Sequence, residues 1–228
     1  MTSAGERTAS DFLTPERVAY WYLRLNGFFQ IENFVIHPER SGSQRTDADI
    51  LAVRFPFRAE RLIDEPTRIM RDDIELLSLS SNLVDVVIAE VKTNQTCMLN
   101  GPWTDASKEN IHRAIAAIGC FETRSEIDQA AQALYSGKAH STSILQIRLI
   151  AIGKAENPAL SEEYPEVTQL VWSEVLAFIW HRFHEYKRAK TQVDQWDDVG
   201  KRLKKLADDA ENEEAFVRVA KDAMGVQN

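Results

Sequence analysis

The stretch VDVVIAEVK at Val84–Lys92 is the most strand-like run of the chain, because β-branched residues dominate it. Its last charged residues, Glu90 and Lys92, are two positions apart and therefore point to the same face of a strand. Burying that face costs free energy unless it binds something. The stretch predicts a buried strand whose end carries a charged binding site.

A second strand-like run, DILAV at Asp49–Val53, lies upstream and also begins with a carboxylate. A carboxylate that opens one strand and a Glu-x-Lys that ends the next can hold a divalent metal and a phosphate at one sheet edge. Glu-x-Lys alone is weak evidence, because many edge strands carry it as a solvated ion pair. Asp47 competes with Asp49, since alternation places both on one face. Asp49 is preferred because it directly precedes the hydrophobic run.

Composition indicates an ordinary folded chain. The 228 residues, 44% apolar and 27% charged, are enough for one substantial domain with an appendage or for two small domains. The sequence has no apolar stretch of membrane-spanning length and no signal-peptide pattern at its start. Two cysteines, Cys97 and Cys120, are expected to be reduced thiols. We therefore expect a cytoplasmic protein without a membrane segment.

The formal net charge of −8 restricts the ways in which the chain can bind nucleic acid. An acidic protein does not coat itself with DNA or RNA non-specifically. Nucleic-acid binding would need a local basic patch, a metal ion or a partner subunit.

The predicted order of elements is helix, three strands, two helices, one or two strands and a helical tail. The predicted bounds are a helix from Pro15 to Asn26-Gly27, strands at 28–37, 49–55 and 84–91, helices at 108–118 and 125–135, strands at 144–152 and 167–172, and further helices from 173, at 194–207 and at 213–224. Residues 58–82 fit neither the helical nor the strand period of apolar residues. They are expected to form an insertion with a short helix near 65–78. The order predicts an α/β fold with a mixed sheet, comprising a core at 1–172 and a helical extension at 173–228 that packs on the core or on a partner.

Four motifs, on the first helix and on the first three strands of this predicted order, carry a family resemblance. They are Pro-Glu at 15–16, Asn-Gly-Phe at 26–28, TDADILA at 46–52 and AEVK at 89–92. Over residues 14–172 the chain resembles the restriction-endonuclease-like superfamily, the PD-(D/E)xK nucleases. The order of these motifs is most similar to that of the branch of Mrr-type restriction enzymes and archaeal Holliday-junction resolvases. In this chain the order is Asn-Gly-Phe, then a polar turn, then Thr-Asp-x-Asp. The resemblance implies a restriction-endonuclease-like core with the order αβββαβ.

The resemblance also implies roles for the charged strand ends. Asp49 and Glu90 would bind Mg²⁺, with Mn²⁺ as a substitute and the Val91 carbonyl as a third ligand. Lys92 would orient the attacking water or help to deprotonate it. Phosphodiester hydrolysis needs such a site, because a metal activates water and neutralises the charge that grows on the phosphate.

Two further residues are candidate catalytic groups. Resolvase-type members of the superfamily carry a glutamate on the first helix that completes the metal site, and Glu16 is at that place. Glu16 would equally well complement the positive N-terminus of its helix. Gln95 matches a polar accessory position of related nucleases, although chance explains the match as well.

The C-terminal region is basic at first and acidic afterwards. From His181 to Lys205 lysine and arginine outnumber acidic residues, and from Leu206 onward the balance reverses. The residues expected to contact phosphates are Arg182, Lys187, Arg188 and Lys190. The alternative is a solvated face of ordinary helices.

Aromatic residues are frequent in the same region. They are Trp172, Phe178, Trp180, Phe183 and Trp196. Their number exceeds what a small solvated tail needs, and we interpret them as a packing surface, either within the chain or towards a partner protein.

The sequence thus predicts a magnesium-dependent nuclease acting on DNA in preference to RNA, in restriction, repair or defence against invading DNA. A homodimer is expected, because dimers are common in the superfamily that the chain resembles. The alternative is a catalytically silent, nuclease-like module that assembles with a partner protein. Intact Asp49, Glu90 and Lys92 favour the active enzyme.

Overall fold

The computed structural model describes residues 13–37, 46–62 and 65–227. Its helices are α1 (Pro15–Leu25), α2 (Gly101–Thr104), α3 (Asn110–Ile118), α4 (Arg124–Tyr135), α5 (Pro158–Glu163), α6 (Trp172–Glu185), α7 (Asp198–Asp209) and α8 (Glu213–Met224). Its strands are β1 (Phe29–Ile36), β2 (Thr46–Arg54), β3 (Glu60–Arg61), β4 (Ile69–Met70), β5 (Val84–Val91), β6 (His140–Ser141), β7 (Leu145–Gly153) and β8 (Thr168–Val171). The polar turn predicted between the first two strands lies outside the described residues.

The central sheet is mixed, as the sequence predicted. Its order is β1-β2-β5-β7, and both β6 and β8 pair with β7. β1, β2 and β5 run antiparallel to one another, whereas β5, β7 and β8 run parallel. Parallel neighbours need a crossover connection, which α3 and α4 supply between β5 and β7. The architecture is therefore α/β, with helices on both faces of the sheet.

The two faces of the sheet bury different helices. Along β5, Val87 and Ala89 pack with α1, α6, α7 and α8, while Val86 and Ile88 pack with α2, α3 and α4. This alternation is the period of two that a strand imposes on its side chains. The C-terminal helices therefore form one of the two helical layers and pack on the core of their own chain.

Tail aromatics are part of this packing. Trp172 and Phe183 are fully buried against the sheet and α1. Trp196 lies 4.7 Å from Trp21, measured between ring centroids, and α7 approaches Trp21 closely through Gly200, where a Cβ would overlap the indole ring. Of the two alternatives for these aromatics, packing within the chain is the one observed.

Helix α1 begins as its sequence predicts. The hydroxyl of Thr14 accepts a hydrogen bond from the Arg17 N–H, and Pro15 occupies the first helical position. The helix ends at Asn26, and Gly27 follows with a φ of +82°, a conformation that glycine adopts readily.

The helix predicted near 65–78 is wrong. The described part of this segment forms β4, which pairs with β3, followed by turns. Asp72 is held by Arg54 and Arg58, and the Asp73 N–H donates to the side-chain oxygen of Asn26 at 2.7 Å. These long-range contacts fix the backbone in a non-helical path, which local periodicity does not reveal.

No helix in the described ranges is both long and apolar enough to cross a lipid bilayer.

Candidate active site

Strands β2 and β5 separate at the point where the sequence places the candidate site. Their backbone pairing ends at Ile50 opposite Ala89. Beyond that pair, the carboxylate of Asp49 accepts a hydrogen bond from the Val91 N–H at 2.7 Å. The side chain of Asp49 thus takes the place of a backbone acceptor and lies against the end of β5, beside Glu90.

The same position of the sheet is distorted on the side of β1. Asn33 lies across from Asp49, and the pairing of β1 with β2 skips this position. Asn33 has a φ of +50°, which is uncommon for a residue other than glycine, although asparagine tolerates it better than most. Across the distortion Ala48 packs on the same face as Leu51, so the regular alternation of β2 breaks at Asp49. Asn33 was not identified from the sequence, where its signal is a turn-forming residue inside a strand-like run.

Glu90 is 3% exposed, and three groups donate hydrogen bonds to its carboxylate. The Lys92 ammonium and the Asn100 amide donate to Oε1, and the Trp103 indole donates to Oε2 at 2.8 Å. Asn100 and Trp103 were not identified from the sequence. Their region, residues 100–102, carried only the signal of a chain break, and a buried indole N–H seeks an acceptor that local sequence does not specify.

Both carboxylates are harder to ionise than in water. Burial raises the pKa of Asp49, and the nearby negative charges of Glu16 and Asp47 raise it further, against the Val91 hydrogen bond and the charge of Lys92. Burial also raises the pKa of Glu90, and the charge of Asp49 adds to this effect. The site therefore collects more negative charge than its own lysine compensates, which is the electrostatic condition for binding a cation.

Lys92 is held at the site by its backbone as well as by its ammonium group. Its N–H donates to the Ile152 carbonyl at 2.8 Å, and its carbonyl accepts the Trp172 indole N–H at 2.9 Å. Its side chain is 13% exposed, so the ammonium group remains within reach of a bound substrate. The start of α6 thereby fixes the residue that follows β5.

The loop after Lys92 is also anchored by the C-terminal end of the chain. The Asn94 amide donates to the Gly225 carbonyl at 3.0 Å, and the Gln227 N–H donates to the Asn94 side-chain oxygen at 2.7 Å. On the other side, Gly153 lies so close to this loop that a Cβ would overlap the Cys97 nitrogen. The helical tail is thus structurally coupled to the candidate site.

The remaining predicted residues differ in how close they lie to Asp49 and Glu90. Glu16, in the first turn of α1, is near enough to act on Asp49 electrostatically, as is Asp47. The N–H of Val91 points towards Asp49, and because the N–H and carbonyl of one strand residue face the same neighbour, its carbonyl faces that side too. Gln95 is exposed in the loop after β5, where its carbonyl accepts the Lys154 N–H. A role for the Gln95 side chain stays a prediction.

The predicted phosphate contacts need correction. Arg182 is 2% exposed and donates to the carbonyls of Leu25 and Arg71 and to Asp72, so it is not available to nucleic acid. Lys190 is engaged by Glu60. The prediction for Arg182 is wrong because this basic residue lies on the buried face of α6.

Lys187 and Arg188 are exposed but lie far from the candidate site. Helix α6 begins beside Lys92, at Trp172, and runs away from it for 14 residues. At 1.5 Å per residue the helix is about 20 Å long, and Lys187 and Arg188 follow the end opposite Trp172. Phosphate contacts by these two residues would involve a distant part of a bound nucleic acid.

The donor set suits a hard divalent cation. No three histidine, cysteine, aspartate or glutamate side chains come together as a metal-binding group within residues 13–37, 46–62 and 65–227. The groups that could hold a cation are the carboxylates of Asp49 and Glu90 and the Val91 carbonyl, with water completing the coordination. Mg²⁺ accepts such a site, because it is commonly bound through one or two carboxylates and keeps several of its waters.

Comparisons of the chain with protein-family models, with curated proteins and with solved structures found no significant match. The function of this chain is therefore inferred from its own residues and geometry.

Proposed function

We propose that this protein is a magnesium-dependent nuclease of the PD-(D/E)xK type. The observation that carries the proposal is the meeting of Asp49, Glu90 and Lys92 at the point where β2 and β5 separate. The half-buried carboxylate of Asp49 and the buried carboxylate of Glu90 both have raised pKa values and lie beside one lysine. They stand on strands whose sequences carry the Asp and Glu-x-Lys elements of that superfamily.

The arrangement of elements supports the restriction-endonuclease-like core. A helix, an antiparallel unit of three strands, a helical crossover and a parallel strand follow one another as α1, β1, β2, β5, α3 with α4, and β7. Folds host many activities, so this agreement supports the proposal less than the site residues do.

Each site residue has a distinct task in this mechanism. Asp49 and Glu90 hold the cation, which would polarise the scissile phosphate and lower the pKa of a bound water. Lys92 places a positive charge next to Glu90, where its ammonium can donate to the attacking water or to a phosphate oxygen. Because the site is largely removed from solvent, these charges act more strongly than they would in bulk water. Glu16 contributes a third negative charge near Asp49.

DNA is the proposed substrate, in preference to RNA, by resemblance to the superfamily. The proposed biological settings are restriction, repair and defence against invading DNA. With a net charge of −8 and Arg182 buried, the chain depends on the cation and a few exposed basic residues to bind a polyanion. Binding should therefore be weak without a divalent cation or a partner.

The test is cleavage of supercoiled plasmid, linear duplex, single-stranded DNA and RNA, in Mg²⁺, Mn²⁺ or EDTA. The wild type is compared with Asp49→Asn and Lys92→Ala. Cleavage of DNA that requires the cation and is lost in both variants supports the proposal. Cleavage that persists in EDTA or in both variants points to a contaminant or a different site.

The second candidate function is a catalytically silent module that assembles with a partner protein or as a homodimer. The observation that favours it is a group of exposed apolar side chains on the edge strand β1 and in the turn that follows β2. These are Phe29, Ile31, Phe55 and Phe57, of which Phe57 is 85% exposed. A partner protein would therefore bind at this edge. The tail aromatics are not proposed as its binding site, because they pack within the chain.

The self-association part of this candidate is tested by sedimentation. Association that Phe57→Asp abolishes, in a protein without nuclease activity on any of the four substrates, would favour the silent module.

A further inference from the structure

Hydrogen-bond donors surround the Glu90 carboxylate on three sides. An ionised carboxylate accepts at about four positions, two on each oxygen. Lys92 and Asn100 donate to Oε1, and Trp103 donates to Oε2. The position that remains for a cation is therefore on Oε2.

The segment that carries Asn100 and Trp103 is fixed by packing. Trp103 is 1% exposed and lies in the core between the sheet and α3. Asn110, a buried residue whose amide donates to the Pro102 carbonyl at 3.1 Å, holds the same segment. Trp103 cannot leave Glu90 without unpacking this segment, whereas Asn100 and Lys92 are partly exposed.

We propose that Asn100 is a positioning residue that, together with Lys92, occupies Oε1, makes Glu90 a one-oxygen ligand and thereby selects Mg²⁺ and Mn²⁺ over Ca²⁺. This inference rests on the proposed nuclease function and concerns the same site. Mg²⁺ requires near-octahedral coordination and keeps its waters, while Ca²⁺ takes six to eight oxygens and often both oxygens of one carboxylate. A carboxylate that can offer only one oxygen denies Ca²⁺ the two-oxygen contact that would favour its binding.

Calorimetric titration of the whole protein with Mn²⁺ and, separately, with Ca²⁺ tests the inference without relying on cleavage. The variants are Asn100→Ala, which removes a donor from Oε1, and Trp103→Phe, which removes the donor from Oε2 and leaves Oε1 occupied. A further control is Trp180→Phe, because the Trp180 indole N–H has no hydrogen-bond partner among the described residues. The ratio of Mn²⁺ to Ca²⁺ affinity should fall by about tenfold in Asn100→Ala and stay unchanged in Trp103→Phe and Trp180→Phe.

The outcomes separate the two proposals. Mn²⁺ binding that depends on Asp49, with the same Mn²⁺ to Ca²⁺ ratio in Asn100→Ala as in the wild type, overturns the role of Asn100 and leaves the metal site in place. A wild type that binds no Mn²⁺, or binds it equally well as Asp49→Asn, overturns the metal site and this inference with it. Asn100 is half-buried and its side chain makes no capping hydrogen bond, so Asn100→Ala, the deciding variant, should fold.

Discussion

The Asp49 carboxylate accepts a 2.7 Å hydrogen bond from the backbone N–H of Val91, the residue between Glu90 and Lys92. This bond holds together two strands that have already stopped pairing through their backbones. It also keeps the second carboxylate within electrostatic range of the first. Asp49 consequently has both a structural and a proposed metal-binding role, and a substitution there affects stability as well as function.

Asp49→Asn should stabilise the metal-free protein at neutral pH. Burial raises the pKa of Asp49, so the folded state binds its proton more tightly than the unfolded state does. The stability contributed by this group is present below its unfolded pKa and is lost as the pH rises through the folded value. Asparagine keeps the acceptor for Val91 and has no charge to bury. Urea unfolding in EDTA at pH 7 should show the gain, and the gain should shrink as the pH approaches 4.

Asp47→Asn is the matched control, since Asp47 is half-buried on the same strand and makes no contact with Val91. A stability gain equal to that of Asp49→Asn, or a gain that does not depend on pH, would contradict the electrostatic explanation.

The Glu90–Lys92 pair should show energetic coupling. Lys92→Met leaves a buried carboxylate without its cation, which costs about 3 kcal/mol when one partner of a buried pair is removed. Glu90→Gln in the same chain removes that uncompensated charge and should restore much of the loss. The free energies of unfolding of the wild type, both single variants and the double variant, measured in EDTA, should give a coupling of about 1–3 kcal/mol. Additive effects would mean that the two side chains do not depend on each other.

Arg182 should be a stability residue and not a DNA contact. Arg182→Met leaves Asp72 and two carbonyls short of a buried donor, so we expect a loss of about 3–5 kcal/mol in the free energy of unfolding. Arg188→Ala, at an exposed position, should change it by about 0.5 kcal/mol or less. Equal and small effects of the two substitutions in urea unfolding would show that the buried network contributes little.

Asn33 should resist substitution by a β-branched residue. Its φ of +50° costs an ordinary L-residue about 1–2 kcal/mol, a cost that glycine does not bear. Asn33→Val should therefore be destabilised by about that amount relative to Asn33→Gly, although valine is the better strand former. Thermal unfolding of the two variants measures the difference. A more stable valine variant would mean that the distortion opposite Asp49 is not imposed by the fold.

Local sequence signals predicted much of the fold. The β-branched run gave the bounds of β5, and the pattern at 213–224 gave those of α8. A local signal also existed for Arg182, because Val175, Ile179 and Arg182 recur at helical spacing on one face of α6. Arg182 was nevertheless predicted to contact phosphates, because it lies in a run of basic residues.

Other features could not be predicted because they depend on contacts distant in sequence. The path of the 65–78 segment is set by Arg54 and Asn26, and the orientation of Glu90 is set by Trp103, which lies on a different element. Asp49, Glu90 and Lys92 could be recognised from the sequence because they lie in short motifs at the ends of predicted strands. The groups that orient them have no fixed spacing from that motif.

The rate of plasmid nicking in saturating Mg²⁺ tests whether Lys92 acts in catalysis. The wild type is compared with Lys92→Ala at a cation concentration that titration shows to fill both proteins. The nuclease mechanism predicts nicking by the wild type and loss of nicking in Lys92→Ala, with the cation still bound. Equal nicking by the two proteins, or a wild type that binds Mg²⁺ and cuts none of the nucleic acids offered, would contradict it.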